Sequence, residues 1–401
     1  MKEAYIADGL RTPIGNFKGA LSGIRADDMA ALVLKELVAR NPGIPASAID
    51  DVIMGCANQA GEDNRNIARM ALLLAGLPYT VPGETVNRLC ASGMSAVINA
   101  ARAIQAGDGD IFIAGGVEHM TRGPWVISKT TQAFGQDAQM YDSSFGWRFI
   151  NPKMQEMYGT DAMGMTAENV ADLYNINRED QDTFAWQSQI KASAAQKSGR
   201  LAEEIVHVEI IQKKGASQII SEDEFLKPDT TIERLAQLKP AFMKNGTVTA
   251  GNAAGLNDGA AAVYILSGDA VKKYNVVPKA RIISSAIVGV EPRIMGIGPV
   301  GATQKALAKI GLSIDDIDII EINEAFAAQS LACLRELGIA DNDRRVNPNG
   351  GSIALGHPLG MSGTRIINSA ALELQKQGKR YALATMCIGL GQGYAVIMER
   401  V

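Results

Sequence analysis

The sequence predicts an α/β fold of two similar mixed-sheet halves with a segment inserted between them, and three observations carry that prediction. First, residues 43–55 and 311–323 read alike, each a helix stop, a turn and then a strand. Second, each is preceded by a β-rich run, at 4–8 or 280–288, and by a helical pattern, at 29–40 or 303–310, which makes βαβ twice over. Third, a helix with a glycine stop and then an apolar strand occurs at 92–106 with 111–115, and again at 362–376 with 381–386.

Composition narrows the function. With 401 residues, 47% hydrophobic and 20% charged, the chain suits a folded soluble protein of two or three domains, and disorder and collagen are excluded. Its 39 Lys plus Arg oppose 43 Asp plus Glu, so a net charge of −4 offers no general attraction to nucleic acid or to an anionic membrane. An anionic ligand must then be held by local bases. Charge interrupts the amino terminus before any signal-peptide core, and no run reaches the ~18 apolar residues of a membrane helix, so a cytoplasmic location is expected. Cys56, Cys90, Cys333 and Cys387 form no C-x-x-C, which leads us to expect reduced thiols with neither a disulfide framework nor a structural zinc.

From about 120 to 246 the alternation weakens, and Trp125, Trp147 and Trp186 all fall here with many of the methionines. A lid over a ligand and the filling of an irregular core are both open readings. Helices are expected at 166–173 and 178–197, the second opened by Asn177 as N-cap with Glu179 and Asp180 in its first turn. Residues 221–238 should run over the surface, and the glycine-rich stretch 249–259 leads into an apolar strand that rejoins the first sheet. The division expected is 1–119, first half; 120–249, insertion; 250–272, return; 273–401, second half.

Chemistry concentrates at strand ends and helix starts. Cys90 directly precedes a helix, where unpaired N–H groups and the helix dipole favour a thiolate and a lowered thiol pKa, although most isolated cysteines are inert. His357 lies in the glycine-rich run 349–363, which lets backbone approach a ligand closely; a turn histidine satisfied by hydrogen bonds is the alternative. Cys387 ends an apolar strand at a glycine loop and offers a thiol beside free N–H donors. Asn323 ends the repeated strand, either as a helix N-cap or as a site amide. In a doubled α/β architecture ligands gather at the carboxyl ends of strands, and these four residues converge there.

Other signals point elsewhere. Gly296-Ile-Gly-Pro-Val-Gly301, with Glu321 roughly 20 residues on, matches a dinucleotide fingerprint and keeps a nicotinamide-dependent oxidoreductase as an alternative. Residues 290–295 separate it from its strand and Pro299 removes an N–H, so a structural turn is the better reading. Cys56, with Asn58 and Gln59 as its polar neighbours, and Cys333, within a helix at 324–337, read as core thiols. His207 reads as a solvent-facing strand residue.

With these residues in hand the sequence strongly resembles the thiolase family of acetyl-CoA acyltransferases over essentially its whole length. The motifs are Asn87-Arg-Leu-Cys-Ala-Ser-Gly93, Gly115-Gly-Val-Glu-His-Met120, Asn323-Glu-Ala-Phe326, Gly356-His-Pro358 and Cys387-Ile-Gly389. The resemblance implies the thiolase fold, a duplicated α/β fold with an inserted loop domain. It implies thiolytic cleavage of a 3-oxoacyl-CoA by coenzyme A, ping-pong through an acyl thioester on Cys90. His357 is then the base for the thiols, and Cys387 the acid for the departing acetyl-CoA enolate. The enolate oxygen would meet His357 and a water held by Asn323, and the acyl oxygen would meet the N–H groups of Cys90 and Gly389.

Coenzyme A is thus a substrate, no cofactor is permanently bound, no metal is needed, and relatives form homodimers or homotetramers. For CoA contacts the resemblance points to Lys227, Phe242, Ala250, Met163, Ala325 and Phe326. It also points to Ala254, where Gly251-Asn-Ala-Ala-Gly255 lacks the family's usual serine hydroxyl. Residues 56–66, 146–152 and 387–393 look most like 3-oxoadipyl-CoA thiolases of aromatic-compound breakdown, which release succinyl-CoA; a general 3-ketoacyl-CoA or acetoacetyl-CoA thiolase is the alternative. Arg148, Lys153, Arg122 and His119 are candidates to meet the distal carboxylate of such a substrate.

Overall fold

A computed structural model describes residues 2–211, 215 and 217–401, and in it the repeat seen in the sequence becomes a repeat of strand order. The first half runs Gly83–Val86, Asp51–Gly55, Ile111–His119, Asn257–Ser267, Ala4–Arg11; the sheet continues through Ala280–Gly289, Gln392–Arg400, Tyr381–Ile388 and Ile319–Ile322. Read outward from the middle, the two series match strand for strand, antiparallel next to the centre and parallel at the rim. Even the outermost strand has a counterpart, because Val346 bridges Ile320 in parallel where Gly83–Val86 flanks Asp51–Gly55. The halves join through two residue pairs, Tyr5 with Arg281 and Ile6 with Ala280.

Helices Ser92–Ala106 and Leu359–Gln377 occupy equivalent places in the two halves and share one core, in which Ile98, Ile104, Ile366 and Leu374 pack with Val263 and Val396. Their small residues permit close packing: a β-carbon on Gly93 would stand 2.4 Å from the Gly360 carbonyl oxygen. Ala26–Arg40 and Ile67–Leu74 cover the other face of the first half, around Leu34, Leu72 and Tyr264. Gly298–Ala308 and Ala327–Glu336 do the same for the second.

The segment between the halves carries hairpin Trp125–Ile127 with Met140–Asp142 and helices Pro152–Tyr158, Met163–Leu173 and Arg178–Lys197. Asn177 caps the last of these as its sequence predicts, its side chain accepting the Asp180 N–H at 2.8 Å. The surface course expected for 221–238 holds only in part. Asp223 is buried in a forked ion pair with Arg11 (2.7 and 2.8 Å) and accepts the Ile14 N–H, because a buried guanidinium needs a carboxylate beside it. Strand Asn257–Ser267 then returns to the first half, between Ala4–Arg11 and Ile111–His119. Among the described residues no helix is long and apolar enough to cross a membrane.

Candidate active site

The two central helices begin side by side. A β-carbon on Gly363 would lie 2.4 Å from the Met94 backbone nitrogen, the mirror of the Gly93–Gly360 approach, so the residues ahead of each helix start, Cys90 and His357, come to one region. Cys90 sits in the turn Leu89–Ala91, where Leu89 takes φ +48°, a strained value for a branched side chain. Local bonds hold that strain. Asn87 accepts the Leu89 N–H (2.8 Å), and the Ser92 hydroxyl accepts from Arg88 N–H (2.9 Å) and donates to the Leu89 carbonyl (2.7 Å). Strand Tyr381–Ile388 delivers Cys387 and then Gly389, and the N–H groups of Gly389 and of Cys90 itself act to lower the Cys90 thiol pKa.

His357 follows Gly356, whose φ of +104° and contact with the Asn257 amide both require glycine. Asn257 accepts the His357 N–H at 3.0 Å. The ring is bonded on both sides: Nδ1 lies 2.7 Å from Ser362 Oγ, and Nε2 lies 3.4 Å from Asn323 Nδ2. The N-cap reading of Asn323 is overturned, since the helix begins only at Ala327 and Asn323 is fully buried with Oδ1 accepting from Ser352 (2.6 Å). The cause is Glu324. Its carboxylate takes the Ser188 hydroxyl (2.7 Å), the Asn347 amide (2.6 Å) and the Ile353 N–H (3.1 Å), anchoring the non-helical stretch 323–326.

The electrostatics of Cys90 run against the lowered thiol pKa expected from its helix start. Cys90 is half-buried, and burial raises its thiol above the usual range, opposed by the N–H groups of Gly389 and Cys90 and reinforced by Glu118. Burial pushes Cys387 well above its ordinary value, with Cys90 and Cys333 adding to the effect. Burial, and then the Arg365 charge, push His357 down to about 3, which leaves a neutral imidazole. Two thiols, a neutral imidazole and N–H donors are the parts list of covalent acyl transfer.

Around them lie most of the residues expected to meet CoA. Ala325 and Phe326 join Cys387, Ala253 and Met295 in one apolar cluster, and Phe326 meets Phe242 edge to face at 6.4 Å. The Phe242 ring fills the space over Gly164, beside Met163, and Ala254 donates its N–H to Ala325 (3.0 Å). Ala250 and Lys227 are exposed, with the Lys227 ammonium 5.0 Å from the Phe225 ring that covers Gly255.

Arg148 is half-buried and donates to the Ser143 carbonyl at 2.9 Å. Two other carboxylate candidates are already engaged. His119 is buried between Asp258 and the carbonyls of Leu21 and Ile24, and Arg122 grips Glu62. Lys153 is exposed. Cys56 and Cys333 are core thiols as read, although Cys56 has Glu118 at 4.0 Å, a neighbour the sequence did not suggest; burial pushes Cys333 up to about 12. The 296–301 glycines serve packing: Gly298 lies against the Gln392 backbone and Gly296 against Gln329. Sequence reasoning missed Ser352 and Ser362, which carry no motif of their own. Glu118, whose carboxylate accepts the N–H groups of Ala57, Asn58 and Gly360, stood unremarked inside a quoted motif. Among the described residues no three His, Cys, Asp or Glu side chains are grouped to hold a metal ion.

A doubled α/β fold that seats two thiols, an imidazole and a pair of N–H donors at its centre defines an enzyme of acyl transfer. Residues 4–269 match the thiolase N-terminal domain and residues 276–400 the thiolase C-terminal domain, and the chain belongs to the thiolase family. It is 60% identical over 401 residues to a beta-ketoadipyl-CoA thiolase of Escherichia coli and 58% identical over 400 residues to one of Pseudomonas aeruginosa, each match covering 100% of both chains. Among solved structures it is similar to the acetyl-CoA acetyltransferase of Bacillus anthracis (TM-score 0.93) and to human mitochondrial 3-ketoacyl-CoA thiolase (TM-score 0.92). Each is 40% identical, and each match covers 100% of this chain and 99% of the other.

Proposed function

We propose that this thiolase cleaves 3-oxoadipyl-CoA with coenzyme A to acetyl-CoA and succinyl-CoA, as a cytoplasmic homodimer or homotetramer serving aromatic catabolism through the β-ketoadipate pathway. Its full-length identity of 60% to a beta-ketoadipyl-CoA thiolase is the observation that carries the substrate. In domain terms the reading takes 1–119 with 250–272 as one half, 273–401 as the other, and 120–249 as the loop domain over the ligand.

His357 Nε2 takes the Cys90 proton as the sulfur attacks the 3-keto carbon. The C2–C3 bond breaks, Cys387 protonates C2 of the leaving enolate, and the succinyl group stays on Cys90 as a thioester. The proton on His357 restores Cys387, which frees Nε2 to take the proton of the incoming CoA thiol and return it to Cys90 as the product leaves. The enolate oxygen is met by His357 and a water on Asn323, the acyl oxygen by the Cys90 and Gly389 N–H groups; one such donor is worth ~3 kcal/mol. The 3.4 Å contact of Asn323 with His357 supports the first of these sites.

Lys227 serves the nucleotide, and Met163, Phe242, Ala250, Ala254, Ala325 and Phe326 line the pantetheine path. Mass spectrometry after brief exposure to 3-oxoadipyl-CoA or acetoacetyl-CoA tests the reading. A succinyl adduct on Cys90, formed faster than the acetyl adduct and lost on adding CoA, is expected. Faster acetylation would favour an acetoacetyl-CoA thiolase, and an adduct elsewhere would remove Cys90 from its role.

A further inference from the structure

His357 is held by two hydrogen-bond chains whose far ends have only one possible polarity. At one end stands Arg365, 2% exposed, with a guanidinium that donates and never accepts. Its Nη2 lies 3.4 Å from Ser352 Oγ. That oxygen accepts from Arg365 and donates its own proton to Asn323 Oδ1 at 2.6 Å. The amide is then oriented with its NH2 toward His357, and Nε2, at 3.4 Å, faces a donor with its lone pair.

At the other end stands the Pro358 carbonyl, which only accepts. Ser362 Oγ lies 2.8 Å from it and donates there, so the same hydroxyl accepts from His357 Nδ1 at 2.7 Å. The two chains start from opposite sides of the ring and reach the same answer: the proton is on Nδ1 and the lone pair is on Nε2. A chain of one polarity on one side and the reverse on the other would have frustrated the ring, and neither contact does so.

We propose that Ser362, together with Arg365 acting through Ser352, are positioning residues that lock His357 in the single neutral tautomer whose Nε2 is a free base. Neither serine touches the reacting atoms. Among the described residues Glu321, 1% exposed, faces Arg365 at 3.8 Å with neither oxygen hydrogen-bonded, and Arg365 Nε is likewise unpartnered, so the Nη2 contact with Ser352 forms without a tight carboxylate clamp. The inference rests on reading His357 as the base of the thiolase reaction.

The chain has three histidines, which makes nitrogen-15 NMR of histidine-labelled enzyme a direct test, with His357 assigned by its loss in His357→Asn. The intact enzyme is expected to show protonated Nδ1 and pyridine-type Nε2 at neutral pH. Ser362→Ala should mix the tautomers and lower kcat by about tenfold or more, a part of the 10²–10⁴ that a general base supplies, while KM stays within about twofold. Ser352→Ala should act in the same direction more weakly, and Ser362→Thr should restore both spectrum and rate. A His357 spectrum unchanged in both alanine variants would overturn the proposal, whatever happened to kcat. The expected spectra with thiolysis intact in His357→Asn would uphold the tautomer lock and overturn only the base reading.

Discussion

Gly363 and Met94 approach so closely that no side chain fits between them, the β-carbon position at 363 lying 2.4 Å from the Met94 backbone nitrogen. The partner is main chain of a helix, so it cannot swing aside. This contact sets the spacing of the two central helices and with it the distance from Cys90 to His357. Gly363→Ala must spread the helices, at a cost of about 1–3 kcal/mol in a packed core. A displacement near 1 Å at the reacting groups can cost about a hundredfold in rate. Urea unfolding and kcat measured on the same preparation should therefore show a modest stability loss beside a much larger loss of turnover; equal, small effects would mean the helix pair tolerates repacking.

Thiol reactivity follows from the same site. Because burial raises Cys90, its alkylation by iodoacetamide in the absence of substrate should keep rising through pH 9 with no plateau near neutrality. Glu118 adds to that rise as a negative neighbour, and Glu118→Gln should move the curve to lower pH. A plateau near pH 7 in the parent enzyme would restore the resting thiolate. The variant also weakens the acceptor of three backbone N–H groups, Ala57, Asn58 and Gly360, so some loss of stability accompanies the shift.

Two buried groups set opposite pH slopes on stability. His357 falls from 6.5 to about 3 on folding, so between those values the unfolded chain binds a proton that the folded one refuses, and stability drops as the pH falls through that window. Burial raises Glu321 from 4.5 to about 8; the folded chain keeps its proton while the unfolded chain releases it, and stability drops as the pH rises through that window. Between pH 4.5 and 6.5 the two slopes oppose each other, so the parent loses stability only from about 6.5 to 8; Glu321→Gln should remove that loss, turn the 4.5–6.5 stretch into a rise with pH, and leave the slope below pH 4.5 unchanged. Denaturant midpoints across pH measure both limbs, and a variant as steep as its parent above pH 6.5 would remove Glu321 from the account.

Periodicity and turn chemistry are local, and local features were legible. The repeated helix–turn–strand units and the Asn177 cap stood in the sequence because 3.6- and 2-residue patterns and an Asn before a helix act over a few residues. Burial and long-range bonding are not local. Asn323 looked like a cap until Ser188, Asn347 and Ile353 were brought to Glu324 from other parts of the chain. Cys90 looked like a thiolate because the sequence displays the helix start but not the burial and the Glu118 charge that raise the thiol. Asp223 looked solvated because its partner, Arg11, lies 212 positions away. The thiolase motifs located the candidate site, while Ser352 and Ser362 emerged only from where their hydroxyls point.

Substrate choice turns on a carboxylate at the far end of the acyl chain. Of the basic residues suggested for it, His119 is buried against Asp258 and Arg122 is bound to Glu62, whereas half-buried Arg148 has one nitrogen on the Ser143 carbonyl. A charge-assisted hydrogen bond from a partly buried guanidinium is worth about 1.5–3 kcal/mol, which corresponds to tenfold or more in binding. Arg148→Ala should therefore raise KM for 3-oxoadipyl-CoA by about tenfold or more while leaving KM for acetoacetyl-CoA, which has no distal carboxylate, within about twofold. Initial rates with both substrates on one preparation decide the matter. Equal increases would mean that Arg148 supports the loop through Ser143 and that another group meets the carboxylate, with exposed Lys153 the next to replace.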